Sequence, residues 1–128
     1  MEESRIQWNR EETLEQLGGD QALLQEVMEI FLREAPLHLD ALGVAVTQGN
    51  AAQIETVAHT MKGELGYLGV PEISRKARDL EAMGHAKNLS GAFSLFPLFQ
   101  AEVCALFRSV RSSRATHGTE AQGAHDLY

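Results

Sequence analysis

The sequence predicts an all-α protein, an antiparallel four-helix bundle with a short N-terminal helix across one end. Three observations carry that prediction. Apolar residues recur every three to four positions almost throughout, and no stretch of the 128 residues shows the period of two expected of a half-buried strand. Stop and start signals sit back to back, as in Gly49-Asn50 and Gly69-Val70-Pro71, which leaves short connections between amphipathic segments. Such segments bury their apolar stripes most economically as antiparallel neighbours. Only three prolines interrupt the pattern.

The elements follow in order. Asn9 caps a short helix carrying Leu14 and Leu17, which Gly18-Gly19 ends. Asp20 caps a second helix with the apolar stripe Leu23, Leu24, Val27, Met28, Ile30 and Phe31. Pro36 disfavours helical geometry at Ala35, so a kink or brief break is expected before Leu37, Leu39, Leu42 and Val46 resume the pattern. Gly49 ends that segment, and Asn50 caps a helix expected to reach Leu68. Gly69 closes it, Pro71 opens the next as a first-turn proline, and Ile73, Ala77, Leu80 and Met83 form the buried side there. A last helix starts between Ser90 and Phe96 and carries Leu95, Phe99, Val103, Leu106 and Val110, with Pro97 tolerated only near its first turn or as a kink. From Ser112 the chain turns polar and small without helical periodicity. The expected organisation is therefore a bundle over residues 6–111 and a polar flexible tail over residues 112–128. Trp8 is expected to cap one end of the bundle, and Cys104 to be a small core or boundary residue.

Composition excludes several function classes. A hydrophobic content of 44% with 23% charged residues fits a soluble globular chain. The net charge of -7 argues against a nucleic-acid partner, because phosphate binding needs clustered positive charge. The small basic groups Arg75, Lys76, Arg78 and Arg108, Arg111, Arg114 read as solvated helix faces. A single cysteine rules out an intrachain disulfide or a thiolate zinc cluster. No apolar run approaches the roughly 20 residues that span a bilayer. Met1-Glu-Glu-Ser-Arg5 lacks the basic-then-apolar layout of a signal peptide. The expectation is a cytoplasmic monomer with no membrane partner.

The helix from Asn50 to Leu68 carries the candidate site. Wound at about 100° per residue, Ile54, Val57, Ala58, Met61, Leu65 and Leu68 form one core stripe. His59 lies about 140° from its centre and points to solvent. Glu55, Lys62 and Gly63 are its neighbours one turn away, and Gly66 follows on the same outer face. Each interior glycine costs roughly 1 kcal/mol relative to alanine, so Gly63 and Gly66 mark a face kept bare for close approach. A neutral imidazole is nucleophilic near neutral pH and forms covalent intermediates. With a lysine beside it and no acid–hydroxyl pair arranged for hydrolysis, attack on an activated phosphoryl group is the reaction class that fits, Lys62 offsetting the transferred charge.

The segment Ala58-His59-Thr60-Met61-Lys62-Gly63, followed by Leu68-Gly69, resembles the signature of histidine-containing phosphotransfer (HPt) domains of bacterial two-component phosphorelays. Leu17-Gly18-Gly19-Asp20, Phe31 with Pro36, Gly49-Asn50 and Leu80-Glu81 also fall where that family places similar residues, so the resemblance covers residues 6–111. It implies a helical bundle without kinase or ATP-binding machinery, a phosphoryl-group carrier rather than an enzyme. By position, it makes His59 the phosphoacceptor, Lys62 the charge partner and Gly63 the clearance residue. Glu55, Thr56, Thr60, Gly66 and Tyr67 would meet the partner. The implied partners are response-regulator receiver domains and a hybrid histidine kinase. No cofactor would be bound by this chain, and the Mg²⁺ of the chemistry would belong to the receiver. Glu64 and Tyr67 depart from the small or amide residues common in the family; Glu64 projects away from His59, whereas Tyr67 lies near the expected partner surface.

Two other readings use the same residues. One is an HPt-shaped docking or inhibitory protein that binds a kinase or receiver without carrying phosphate. The other is a metal-binding bundle: Glu34 and His38, Glu55 and His59, and Glu81 and His85 are each four apart, which allows shared ligation on one helix face. That set lacks the Glu-x-x-His pairs of di-iron bundles. The remaining histidines, His38, His85, His117 and His125, read as surface or tail residues.

Overall fold

The computed structural model describes residues 8–122, with side chains described through residue 114. It contains five helices: α1 (Arg10–Gln16), α2 (Gln21–Gln48), α3 (Ala51–Leu68), α4 (Pro71–Ala86) and α5 (Leu89–Gln122). No strand occurs among the described residues. The capping chemistry sets the boundaries. Asn9, Asp20 and Asn50 accept from the amides of Glu12, Leu23 and Gln53 at 3.0, 3.0 and 3.1 Å. Gly49 and Gly69 turn the chain through the left-handed region at φ 66° and 70°, closing α2 and α3. The helices α2 to α5 thus alternate in direction around one core.

Both interior prolines lie within continuous helices. Pro36 has no N–H for the Leu32 carbonyl, yet α2 is continuous through it, without the brief break that is one of the two sequence expectations. Phe31 and Ala35 before the proline and Leu39 and Leu42 after it are buried on one face, which holds the two halves as one helix. Pro97 likewise lies inside α5. That helix starts at Leu89, one residue before the expected window, because Asn88 accepts from the Gly91 amide at 3.0 Å. It continues to Gln122 in place of the non-helical tail expected from Ser112; residues 123–128 lie outside the described part. By length and composition its Leu89–Arg114 stretch is also apolar enough to cross a bilayer, contrary to the sequence reading. In the bundle, Ala92, Phe96, Phe99, Val103, Leu106 and Val110 from this stretch are buried in the core.

The second-helix stripe is narrower than its sequence pattern. Leu24, Met28 and Phe31 are buried, whereas Leu23 and Ile30 remain 39% and 40% exposed at the edge facing α3. On α4 the buried position after Leu80 is Gly84, and Met83 is only half-buried.

The short α1 is fixed across the end of the bundle where α3 stops. The Thr13 hydroxyl donates to the Leu68 carbonyl at 2.7 Å, and the Trp8 indole N–H shares itself between that carbonyl (3.1 Å) and the Thr13 oxygen (2.9 Å). Trp8 also donates its backbone N–H to Ser109 of α5 at 2.9 Å. These bonds satisfy a terminal carbonyl that would otherwise be buried without a partner. Thr13→Val, which keeps the shape and removes the hydroxyl, should destabilise the fold by about 1–2 kcal/mol in urea unfolding without changing the helical signal of the native state.

Candidate functional site

Two helices, α3 and α4, build the site. The core stripe of α3 buries Ile54, Val57, Ala58, Met61, Leu65 and Leu68, and this turns His59 outward with its side chain 65% exposed. Opposite it, α4 runs close against α3 because of Gly84. A Cβ at that position would fall 2.6 Å from the Glu55 amide nitrogen and 2.8 Å from the Ala51 carbonyl oxygen, both backbone atoms that cannot yield. One turn earlier on α4, Glu81 reaches back across the seam.

Glu81 joins the two residues singled out on α3. Its Oε2 lies 2.9 Å from His59 Nδ1 and its Oε1 lies 2.8 Å from Lys62 Nζ. The lysine bond, aided by the histidine, holds the Glu81 carboxyl below its usual pKa against the opposing effect of desolvation. Glu81 is therefore a carboxylate at neutral pH and can only accept, which places the proton of a neutral His59 ring on Nδ1. The lone pair is left on Nε2.

The other expected site residues are placed as follows. Gly63 and Gly66 are exposed, and a Cβ built on either meets nothing within 4 Å, so the outer face beside His59 is open. Thr56 and Thr60 are exposed and bond back to the carbonyls of Ala52 and Thr56 at 3.1 and 3.3 Å. Tyr67 is 66% exposed farther along α3. Glu55, expected to be the carboxylate beside His59, instead pairs with His85 of α4 at 3.1 Å.

The four-residue pairs of the metal reading do not bond to one another here. His59 pairs with Glu81, His85 with Glu55, and His38 with Glu64 at 2.7 Å, so every pairing crosses between helices. Glu34 pairs with Arg33 at 3.0 Å. Among the described residues no three His, Cys, Asp or Glu side chains come together as a metal site. His38 is half-buried, not a free surface residue, while the His117 side chain and His125 lie outside the description.

The sequence reading gives no role to Gly84, and it names Glu81 only within the family-like pattern and as a possible metal ligand with His85. The signal for Gly84 was an interior helix glycine, the same signal that drew attention to Gly63. Glu81 lies beside Leu80 within the family-like pattern, but nothing in the periodicity of α4 shows which residue of α3 it faces.

In comparisons with known proteins, the family model described as Hpt domain matches residues 26–109. No curated protein and no solved structure matches the chain.

Two outcomes test this geometry. Gly84→Ala should destabilise the fold by about 1–3 kcal/mol, because the methyl group must push α4 off the α3 backbone, and thermal unfolding will read it. Glu81, with its folded pKa below the ordinary 4.5, adds stability that is present above that value and lost as the pH falls through the lower folded value. The stability difference between wild type and Glu81→Gln should thus be steady near neutrality and shrink as the pH falls below 4.5 in acid-range unfolding curves.

Proposed function

The chain belongs to the Hpt domain family, whose members serve phosphotransfer in two-component signalling with receiver domains and histidine kinases, and we propose that His59 is its phosphoryl-carrying residue. The observation that carries this is the outward ring of His59, tied at Nδ1 by Glu81, beside glycines with open space above them.

In this reading a receiver bearing aspartyl phosphate docks over α3 and the adjacent face of α2. The Nε2 lone pair attacks phosphorus in line, the N–P bond forms, and the P–O bond to the aspartate breaks, returning that carboxylate with its electron pair. The ring keeps its Nδ1 proton and becomes a phosphoimidazolium, whose positive charge faces the Glu81 carboxylate. A protonated ring is the better leaving group, so the same contact favours onward transfer to a second receiver aspartate. Lys62 lies within the same ion-pair network and offsets the charge of the incoming phosphoryl group. The chain acts as a carrier, with Mg²⁺ supplied in the receiver; the cytoplasmic monomer expected from the sequence belongs to the same reading.

Residue substitutions separate these roles. His59→Gln should abolish labelling by a phosphorylated receiver, and an acid-labile, base-stable phosphoryl group still forming on that variant would sink the assignment. Unchanged signalling by His59→Gln in cells would instead support the docking protein that carries no phosphate. Lys62→Ala and Glu81→Gln should each slow transfer by about tenfold while the bundle stays folded. Gly63→Ala should raise stability by roughly 0.5–1 kcal/mol, since the new methyl meets only solvent, yet reduce the rate of transfer from a receiver. Stability and activity moving together in that variant would contradict the clearance role.

A further inference from the structure

On the side of α3 away from α4, the chain encloses a groove that the phosphoryl chemistry does not use. Leu23, Val27, Ile30 and Phe31 of α2 and Tyr67 of α3 surround a cavity of about 360 Å³. Leu23, Ile30 and Tyr67 leave large side chains in water here, and covering them is favourable at about 25 cal/mol per Å² of apolar surface.

The charges of the groove have one sign. Its two ionisable acids are Glu26 and Glu64, and no lysine or arginine lines it. The Glu64 Oε2 is bonded to His38, but Oε1 is buried without a hydrogen-bond partner. Burial raises the Glu64 pKa, the charge of Glu34 adds to the rise, and His38 opposes it. A carboxylate left half-satisfied in an apolar wall is unfavourable, and a cation brought to it relieves that cost. Arg33 of the same helix is already engaged with Glu34.

Resting on the receiver-docking reading above, we propose that this groove seats a segment of the docking protein in which an apolar side chain stands next to a lysine or arginine. The apolar group covers Leu23, Ile30 and Tyr67. The cation pairs with Glu26 at the rim, and the Glu64 carboxyl buried behind the wall adds to the negative charge that it meets. A second copy of this chain is the poorer occupant, because it would bring Glu26 and Glu64 against acids of the same kind. The groove thereby selects among receivers by charge as well as by shape, which is the place where Glu64 and Tyr67 depart from the small and amide residues usual at these positions.

The test uses the whole chain and individual receiver domains phosphorylated with acetyl phosphate, assayed for transfer to His59 at low and high salt. For the receivers that react fastest, the wild-type KM should rise with salt. Glu26→Gln combined with Glu64→Gln should raise the low-salt KM about tenfold, lose most of that salt dependence and keep kcat. Glu26→Lys, at the rim where folding is not at stake, should be rescued by a lysine-to-glutamate change on the receiver. An unchanged KM and salt response in both variants would overturn the proposal while leaving the relay intact. Absence of any transfer to wild-type His59 would remove the relay itself, and this proposal with it. Concentration-dependent dimers in sedimentation that vanish in Ile30→Asp would assign the groove to a second copy and overturn it as well.

Discussion

The close approach of α4 to α3 at Gly84 is the contact on which the site depends. A side chain there would meet the Glu55 amide and the Ala51 carbonyl, so only glycine allows the two backbones to lie at this separation. One turn away on α4, Glu81 is then near enough to touch both His59 and Lys62. One residue beyond Gly84, His85 meets Glu55. The two histidines and two glutamates cross the seam in opposite senses, which fixes the register of α4 against α3 while the buried Ile73, Ala77 and Leu80 supply the adhesion. A packing constraint and an electrostatic arrangement are thus the same feature seen at two levels.

Sharing one carboxylate between a histidine and a lysine has a consequence for the transfer proposed at His59. With the ring neutral, the three side chains sum to no net charge, so an arriving phosphoryl group meets neither a strong trap nor a repelling carboxylate. In the proposed transfer, substitution at Nε2 would make the ring cationic, and Glu81 is already in place to receive that charge without reorganisation, which is the condition under which electrostatic stabilisation is most effective. Glu81 also removes rotational freedom from an exposed ring. The His59 ring is thus accessible and still oriented, and this combination needs α4.

Most of the fold was legible because helix starts, stops and buried stripes are local. Asn9, Asp20, Asn50, Gly49, Gly69 and Pro71 mark boundaries by side-chain chemistry or backbone conformation that a single helix contains. The outward direction of His59 followed from the stripe of its own helix. What escaped was relational. The register between helices decides that His59 meets Glu81 and not Glu55, and a four-residue spacing within one helix carries no record of it. At Pro36 and beyond Ser112 the local signal pointed to interruption, but α2 and α5 run on as helices; at Pro36 burial on both sides explains why. Leu23 and Ile30 belong to a stripe wider than the core can cover, and sequence pattern alone does not reveal which edge stays wet.

The three interior glycines of α3 and α4 divide by what their absent side chains would touch. All carry the same local penalty, roughly 1 kcal/mol each relative to alanine. At position 84 the fold recovers it, because the missing Cβ admits the backbone of α3. At positions 63 and 66 a Cβ would enter open space, so no packing within the chain offsets the penalty. Stability therefore gives a reason for Gly84 and none for Gly63 or Gly66. The transfer proposed for His59 would supply a reason for those two, since a partner surface would then have to come closer to the ring than a methyl group permits.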